Sequence, residues 1–426
     1  DKCPSLKHRY DAIKNAGYHR SRPTKHTFQR WIDKFIGIQK HSCEWDHAKL
    51  WKCFDVVTSQ LKPCMTTPIS LVRAISSLTD YTKSAGVNLA GEKVYANKDA
   101  VPVSVIKQCE DNLASLRTDL IPPFSLGFRS HLVKRGEEEK ARVILVAPAE
   151  FVFVEKRFSE PLFAAISSLR FPRPLGCGFQ WFGPNAAQMA ARFGKASTCA
   201  DFKSFDMSPP SWLIWECFNR LGSLFAMSPR DRAIWQGITR VHCDHTLLHQ
   251  GRKFRMTGGV KTGTAFTHIL GSFLCAVMIR YLLEPDVDAV SYGDDVVVKG
   301  THNLKRLRRA ASKTSTFMIH PRKSRHGLDW LGNRWSPQHH RWELIDPLRR
   351  LGQLFYPERS GDVDFVKLLQ AHYIACARDP IGHDLEQALL DLKARQIRGE
   401  LCDLKYYLTG PVPDTIDIFE LAKRLK

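Results

Sequence analysis

Two groups of aspartates sit where short apolar runs end. Asp201 and Asp206 lie in "DFKSFD" (201–206), and Asp294 and Asp295 lie in "AVSYGDDVVVKG" (289–300). Two-metal phosphoryl or nucleotidyl transfer needs carboxylates on neighbouring strands that hold divalent ions about 3.5–4 Å apart. One ion activates the attacking hydroxyl and the other neutralises the leaving phosphate. A strand-end Asp beside an Asp-Asp hairpin tip provides such a set, with Asp201, Asp294 and Asp295 as metal ligands. Mg2+ suits its sparseness because it takes few carboxylates plus substrate oxygens; Mn2+ is the substitute ion. The plainer reading is a solvated turn, since Gly-Asp is a favoured turn dipeptide. A bare Gly-Asp-Asp arises by chance in on the order of one chain in ten of this length. The flanks argue for more. Both are apolar, so the hairpin belongs in a core, yet its tip carries two charges.

Two further groups could serve the same chemistry. In "GGVKTGTAFTHILGS" (258–272), Gly263 permits close backbone approach. Thr262, Thr264 and Thr267 offer hydroxyls at the start of a helix, where anions and phosphates are favoured. A capped, packed helix is the alternative. Lys134, Arg135, Lys140 and Arg142 line a presumed charged hairpin before "VILVAP", and Lys156 and Arg157 follow. Such cations would guide phosphates, and arginine suits bidentate contacts. The intervening Glu137–Glu139 run fits a salt-bridged hairpin equally well.

The elements that must hold these groups follow from pattern. "ASTCADFKSFD" reads as a short strand, and Ser208-Pro209 as the cap and first turn of a helix ending at Gly222. A second helix starts the same way at Ser228-Pro229. Residues 241–257 alternate like a hairpin around "HQGRK". Glycines 258, 259 and 263 open a long helix over 264–283, and 289–300 reads as strand, turn, strand. "AFTHILGSFLCAVMIRYLL" (265–283) is apolar, but His268 and Arg280 suit a buried core helix better than a membrane span. A basic helix, "NLKRLRRAASKT", follows. Residues 1–120 read as short helices, 171–185 as a loop, and 346–426 as mainly helical and basic. Strands mixed with helices without βαβ regularity give the α+β class.

The 426 residues need a multi-lobed domain or several subdomains. Sixty-three Lys+Arg against 43 Asp+Glu leave +20, which favours a polyanionic partner and, at this size, nucleic acid. The twelve cysteines form no C-x-x-C pair, and Cys43, His47, Cys53 and Cys64 miss the usual zinc spacings. Free thiols in a reducing compartment are the simpler account. The polar, proline-broken opening has no signal-peptide pattern. A start at Asp1 rather than Met leads us to expect a processed product or a fragment.

Taken in order, these pieces resemble a viral RNA-dependent RNA polymerase. "DFKSFD" is similar to motif A, "TGTAFTHILGS" to motif B, "SYGDDVVV" to motif C, "KARVILVAP" to the basic motif F, "HPRKS" (320–324) to motif D and "DWLGNRW" (329–335) to motif E. The spacings, about sixty and then about thirty residues between A, B and C, are those of the family. Details resemble the double-stranded RNA partitivirus and picobirnavirus group. "PPSWLI" after Asp206 is similar to the picobirnavirus motif A, and "GVKTGTAFT" follows that group's motif B with Thr262 in place of the usual Ser. The resemblance covers 130–335 firmly and the two ends weakly.

The resemblance implies a right-hand fold with an antiparallel palm sheet backed by helices. Fingers would be 1–195, with motif F at about 131–157, and palm 196–224. A fingers insertion would be 225–256, palm again 257–345, and thumb 346–426. It implies that Asp201 and Asp294 ligate Mg2+, with Asp295 assisting, and that Asp206 selects the ribose 2′-hydroxyl. Thr262, Gly263 and Thr267 would position template, nucleotide and sugar. Arg142 would contact the triphosphate, Lys134, Arg135, Lys140 and Lys156 the phosphates and RNA, and Lys323 would protonate the leaving pyrophosphate. Gly271 stands where many plus-strand viral enzymes have Asn, so sugar selection would lean on Asp206 and the threonines. Template and product RNA and ribonucleoside triphosphates are the implied ligands, capsid protein an implied partner, and the host cytoplasm, free or within the virion, the implied location. Two alternatives stand beside this. "YGDD" also fits a reverse transcriptase, though an acid at Asp206 is unlike the bulky residue that excludes a 2′-hydroxyl there. A non-catalytic RNA-binding or packaging protein would account for the charge alone.

Overall fold

The structure is a computed structural model that describes residues 3–24, 26–78, 83–137, 141–181, 184–358, 364–376, 379–398 and 415–423. Its first seven strands are β1 (Tyr18–Arg20), β2 (Phe124–Ser130), β3 (Leu132–Lys134), β4 (Ala141–Val146), β5 (Ser197–Lys203), β6 (Asp244–His249) and β7 (Arg252–Thr257). They continue with β8 (Ala289–Tyr292), β9 (Asp295–Lys299), β10 (Met318–Ile319), β11 (Arg325–His326), β12 (Asp329–Trp330), β13 (Asn333–Ser336) and β14 (Arg341–Leu344). Helices fill most of the rest, giving a mixed α+β fold with antiparallel and mixed sheets.

The sheet that carries the aspartates runs β10-β5-β9-β8, with β11 also on β5, and every pairing is antiparallel. Its residues alternate between two buried faces, as a pleated strand requires. Ala200, Phe202, Ala289, Val296 and Val298 join the main core, while Cys199, Val290 and Val297 join a smaller cluster with Trp330 and Trp342. Burial on both faces explains why "VVV" is continuously apolar. The main core is centred on the helix Thr267–Leu282, in which every residue from Ile269 to Leu282 is buried. Its Arg280 donates to the carbonyls of Ala276 and Ala289 inside the protein. Among the described residues no helix is long and apolar enough to cross a membrane.

A second sheet runs β4-β2-β6-β7, with β6 parallel to β2 and the other pairs antiparallel. The β6–β7 hairpin closes on Gln250 and Gly251, both at positive φ (50° and 74°), as a two-residue turn of the type I′ kind demands. A third sheet joins β12, β13 and β14. The N-terminal helix Lys7–Asn15, β1 and β3 pack with the helices Pro347–Phe355, Phe365–Cys376 and Ile381–Asp391 in a separate core that includes Leu6, Ile13, Leu132, Leu351 and Leu385.

Two local expectations need correction. The charged stretch 131–146 is not one hairpin. β4 pairs with β2, whereas β3 turns away to pair with β1. The sequence shows two strand-like runs but not that the N-terminal segment offers β3 a partner. Ser208-Pro209 does not start the following helix, which runs Ser211–Gly222 after Pro210. A 3-10 turn, Phe205–Met207, intervenes, and the Ser208 hydroxyl donates back to the Ser204 carbonyl at 3.0 Å. Ser228, by contrast, caps Pro229–Cys243 through the Asp231 N–H at 3.1 Å.

Candidate active site

Asp201 and Asp295 are directly opposed across β5 and β9. Opposed residues project to the same face with Cβ atoms about 4.5–5.5 Å apart. Tyr292 pairs with Asp295, so Gly293 and Asp294 form a two-residue turn, with Gly293 at φ +59°. Glycine there lets the chain reverse without strain. The turn is held from beneath. The Gly293 N–H donates to the Ser272 hydroxyl at 2.8 Å, and the Ser291 hydroxyl donates to the Ser272 carbonyl at 2.6 Å. Gly271 lies beside this turn: a Cβ there would sit 3.6 Å from the Gly293 Cα. Small residues at 271 and 272 thus let the helix Thr267–Leu282 pack directly under the acidic tip.

Asp201 is fixed by its backbone. Its N–H donates to the Ser324 hydroxyl at 3.0 Å, and its carbonyl accepts from the His320 N–H at 2.6 Å. The same turn brings Lys323 Nζ to 3.4 Å from an Asp201 carboxylate oxygen, with the lysine otherwise exposed. Burial pushes the Asp201 carboxyl up; Lys323 opposes the shift and Asp294 adds to it. The Asp295 carboxyl is pushed up to about 7 by crowding protein first, then by Asp294 and Asp201. Asp294 and Asp295 both keep an exposed edge, so water tempers this repulsion. Asp206 follows a left-handed Ser204 (φ 50°) and is pushed up by burial, with Arg142 opposing and Asp294 adding. Asp206 and Arg142 therefore lie within electrostatic reach of the acid cluster.

The loop 258–266 locks these parts together. The Asp206 carbonyl accepts from the Val260 N–H at 2.7 Å. The Thr262 hydroxyl accepts from the Leu145 N–H at 3.2 Å, on the outer edge of β4. Gly263 is required by that contact, because a Cβ would lie 1.8 Å from the Leu145 carbonyl oxygen. The Thr267 hydroxyl lies 2.8 Å from the Thr264 carbonyl and 3.0 Å from that of Lys261, so its proton stays within the loop. The Lys261 amine, fully buried, donates to the Gly258 carbonyl at 2.7 Å, and burial lowers it to about 7.

The other cations are placed differently. Lys134 lies 4.9 Å above the Tyr18 ring, and the backbone N–H of Arg135 donates to the Gly17 carbonyl at 2.9 Å, so the chain at both residues is held against the N-terminal segment. Lys156 is on the helix Ala149–Ser168, ion-paired with Glu160 and 12% exposed, so its charge is already matched. Arg157 beside it is tied to Glu110 and Asp231. Lys140 is outside the described residues. Ser272 and Ser324 were not anticipated as supports. A lone serine in the apolar run "HILGSFLCAV" is the signal that could have revealed Ser272, whereas nothing near Ser324 marks it.

A cavity of about 790 Å³ opens on Asp201, Asp295 and Lys323 and extends past Trp181 and Trp330 to Arg349 and Arg350. Among the described residues no three His, Cys, Asp or Glu side chains are grouped so that they could hold an ion by themselves. The donor chemistry still fits Mg2+, which keeps several waters and takes only one or two carboxylates beside substrate phosphates. Burial is the larger cause of the raised Asp295 carboxyl, and the repulsion from Asp294 and Asp201 that adds to it is what a divalent cation would relieve.

The sequence pattern of the family described as viral RNA-dependent RNA polymerase matches residues 57–389. The chain belongs to this family. The polymerase-family chain is also similar to the RNA-directed RNA polymerase of Cryptosporidium parvum virus 1 (strain KSU-1), 26% identical over 164 residues. That match spans 37% of this chain and 30% of the relative's length. In fold it is similar to the RNA-dependent RNA polymerase of a human picobirnavirus, with a TM-score of 0.65 at 15% identity, covering 91% of this chain and 78% of the other. An insertion-loop deletion mutant of that enzyme gives a TM-score of 0.60 at 15% identity, with 91% and 80% covered.

Proposed function

We propose that this chain is an RNA-directed RNA polymerase that transfers ribonucleotides on a template by two-metal chemistry, replicating and transcribing a viral RNA genome. The observation that carries the reading is the in-register opposition of Asp201 and Asp295 beside the Gly293-Asp294 turn. Asp201 and Asp294 would hold Mg2+ (or Mn2+), with Asp295 assisting. The ions would supply activation of the attacking 3′-hydroxyl and charge neutralisation of the leaving phosphate. Asp206 would accept a hydrogen bond from the ribose 2′-hydroxyl, and Arg142, in electrostatic reach of Asp206, would hold the triphosphate. Thr262 and Gly263 would orient the nucleotide indirectly, by seating the loop on β4, and Thr267 by closing the loop on itself. Lys323 would give a proton to the leaving pyrophosphate, the role its place beside Asp201 suits.

In this reading the β10-β5-β9-β8 sheet is the palm. The sharing of one sheet by β2, β4, β6 and β7 supports grouping 225–256 with the first 195 residues as fingers, and the helices after 346 would be the thumb. The +20 charge would serve template and product RNA. Lys134 and Arg135 remain candidates for RNA contact at the edge. Capsid protein is the expected partner and the host cytoplasm the expected place of action, free or within the virion. The competing reverse transcriptase reading predicts exclusion of the 2′-hydroxyl near Asp206. A site that bonds a hydroxyl can reject its absence by roughly 10⁴-fold or more. Incorporation of ribo- against deoxyribonucleotides tests this: strong ribonucleotide preference is expected, and deoxyribonucleotide preference would overturn it.

A further inference from the structure

Glu155 lies within the helix Ala149–Ser168 and is fully buried. A buried carboxylate persists only where its oxygens are bonded. Those of Glu155 are divided between two distant parts of the chain. Oε2 accepts from the Ala265 N–H at 2.9 Å. Oε1 lies 2.6 Å from Nε2 of His242, on the helix Pro229–Cys243. His242 is buried as well, and its Nδ1 has no hydrogen-bond partner among the described residues. The polar bonding of the imidazole is thus with Glu155. Its ring is walled by Phe218, Phe151 and Phe266, with centroids 4.6, 6.1 and 6.3 Å away. In such apolar surroundings a hydrogen bond is electrostatically stronger than in water.

Ala265 belongs to the loop 258–266, whose other ties lie at its front. The N–H groups of Gly258, Gly259 and Val260 donate to the carbonyls of Cys243, Pro209 and Asp206, and Thr262 accepts from Leu145. After Thr262, Ala265 is the one loop residue hydrogen-bonded to another element among the described residues. Glu155 therefore holds the back of the loop, where the Thr264 and Thr267 hydroxyls lie 3.3 Å apart and the helix Thr267–Leu282 begins. The first amides of a helix lack partners within it, and that end favours negative charge. A purely structural pair would spend the carboxylate on His242; here half of its bonding goes to the loop backbone.

We propose that Glu155, oriented by His242, is a positioning residue for nucleotide selection: it fixes the back of the loop and, through Thr264 and Thr267, sets how strictly the ribose is chosen beside Asp206. Glu155 touches no substrate, because none of its surface is exposed. The inference rests on the polymerase reading, but the tether itself is measurable without activity.

The test replaces the pair by apolar groups, Glu155→Leu with His242→Phe, in the full chain. Such swaps of buried pairs are often neutral for folding, so melting within roughly 4 °C of wild type is expected. The Ala265 N–H then lacks its acceptor, and hydrogen exchange over residues 262–268 should quicken about tenfold or more. In primed extension, kcat/KM for ribonucleotides should fall about tenfold or more, and the ribo- to deoxyribonucleotide ratio should fall with it, at unchanged RNA affinity. Glu155→Gln is the conservative rescue. Its amide oxygen still accepts from Ala265, and its amide N–H donates to His242 Nε2 in the other tautomer, so exchange and ratio should stay near wild type. A wild-type ratio in the folded double variant overturns the proposal, as does a fall in rate at constant ratio, or an equal defect in Glu155→Gln. If the double variant does not fold, exchange in wild type decides: the Ala265 amide should be protected as well as the Val260 amide, and an unprotected one overturns the tether. If wild type makes no RNA, the polymerase reading fails, and exchange alone judges the tether.

Discussion

Asp295 and Asp201 share one face of a sheet, where burial first, and then repulsion from Asp294 and Asp201, raises the Asp295 carboxyl. The folded-state pKa of Asp295, raised to about 7 from an ordinary 3.8, gives a definite sign. A raised carboxyl favours the folded state below its unfolded pKa, and that contribution is lost as pH rises through the folded pKa. This group's part of the stability should therefore fall between pH 4 and 7, the window its two pKa values set. A divalent cation should offset the loss, so the thermal shift produced by Mg2+ is expected to grow from pH 5 to pH 8. Equal shifts at both pH values would contradict the ligand assignment. Lys323 belongs to the same scale. Lys323→Leu should lower the rate of nucleotide addition while leaving RNA affinity within about twofold, since one exposed phosphate contact contributes little to binding; a loss confined to RNA affinity would remove its proposed proton-donor role. The acids were legible in the sequence because their apolar flanks demanded a buried hairpin. Their supports were not. Ser324 reaches Asp201 through a tertiary contact 123 residues away in sequence, which no local pattern encodes.

Elements are joined here by backbone contacts that tolerate no added atoms. The loop with Thr262 and Gly263 docks on the edge of β4, which carries Arg142. Gly263→Ala would drive a methyl into the Leu145 carbonyl, 1.8 Å away. Overpacking of this kind costs about 1–3 kcal/mol, and displacement of aligned groups by ~1 Å can cost on the order of 10²-fold in rate. Reduced melting temperature with a far larger loss of synthesis is the expected pair of results; wild-type synthesis would mean that the loop does not set the geometry. Ser272→Ala leaves the Gly293 N–H without its acceptor, for about 1–3 kcal/mol if no water replaces it. Urea unfolding measures that directly, and an unchanged midpoint would show that the turn holds itself. At this scale the sequence was read well where one element closes on itself, as in β6–β7 and the Ser228 cap. It was read poorly where strands choose distant partners. Nothing in "HLVKRGEEEKARVILVAP" says that β3 leaves β4 for Tyr18–Arg20. Lys156 looked like a free cation because Glu160 shares its face only once the stretch is known to be helical.

Across the whole molecule, the pairing of the N-terminal segment with the helices after 346 was invisible in the sequence, because its core draws on residues more than 300 positions apart, such as Ile13 and Leu351. The α+β class and the order of the motifs were visible, since they depend on local periodicity and spacing. The net charge of +20 is what supports the proposed RNA binding at this scale. Template affinity should fall linearly in log–log terms with salt, with a slope of about −0.7 per phosphate contacted on a single strand; a flat response would exclude a charged channel. The central claim is that Asp201 and Asp294 hold the ions that drive template-directed RNA synthesis. The most direct measurement is extension on a defined RNA template with Mg2+, with and without a primer, by wild type, Asp201→Ala and Asp294→Ala, with RNA binding measured in parallel. The account predicts synthesis by wild type alone and comparable RNA binding by all three, whereas near wild-type extension by both variants would contradict it.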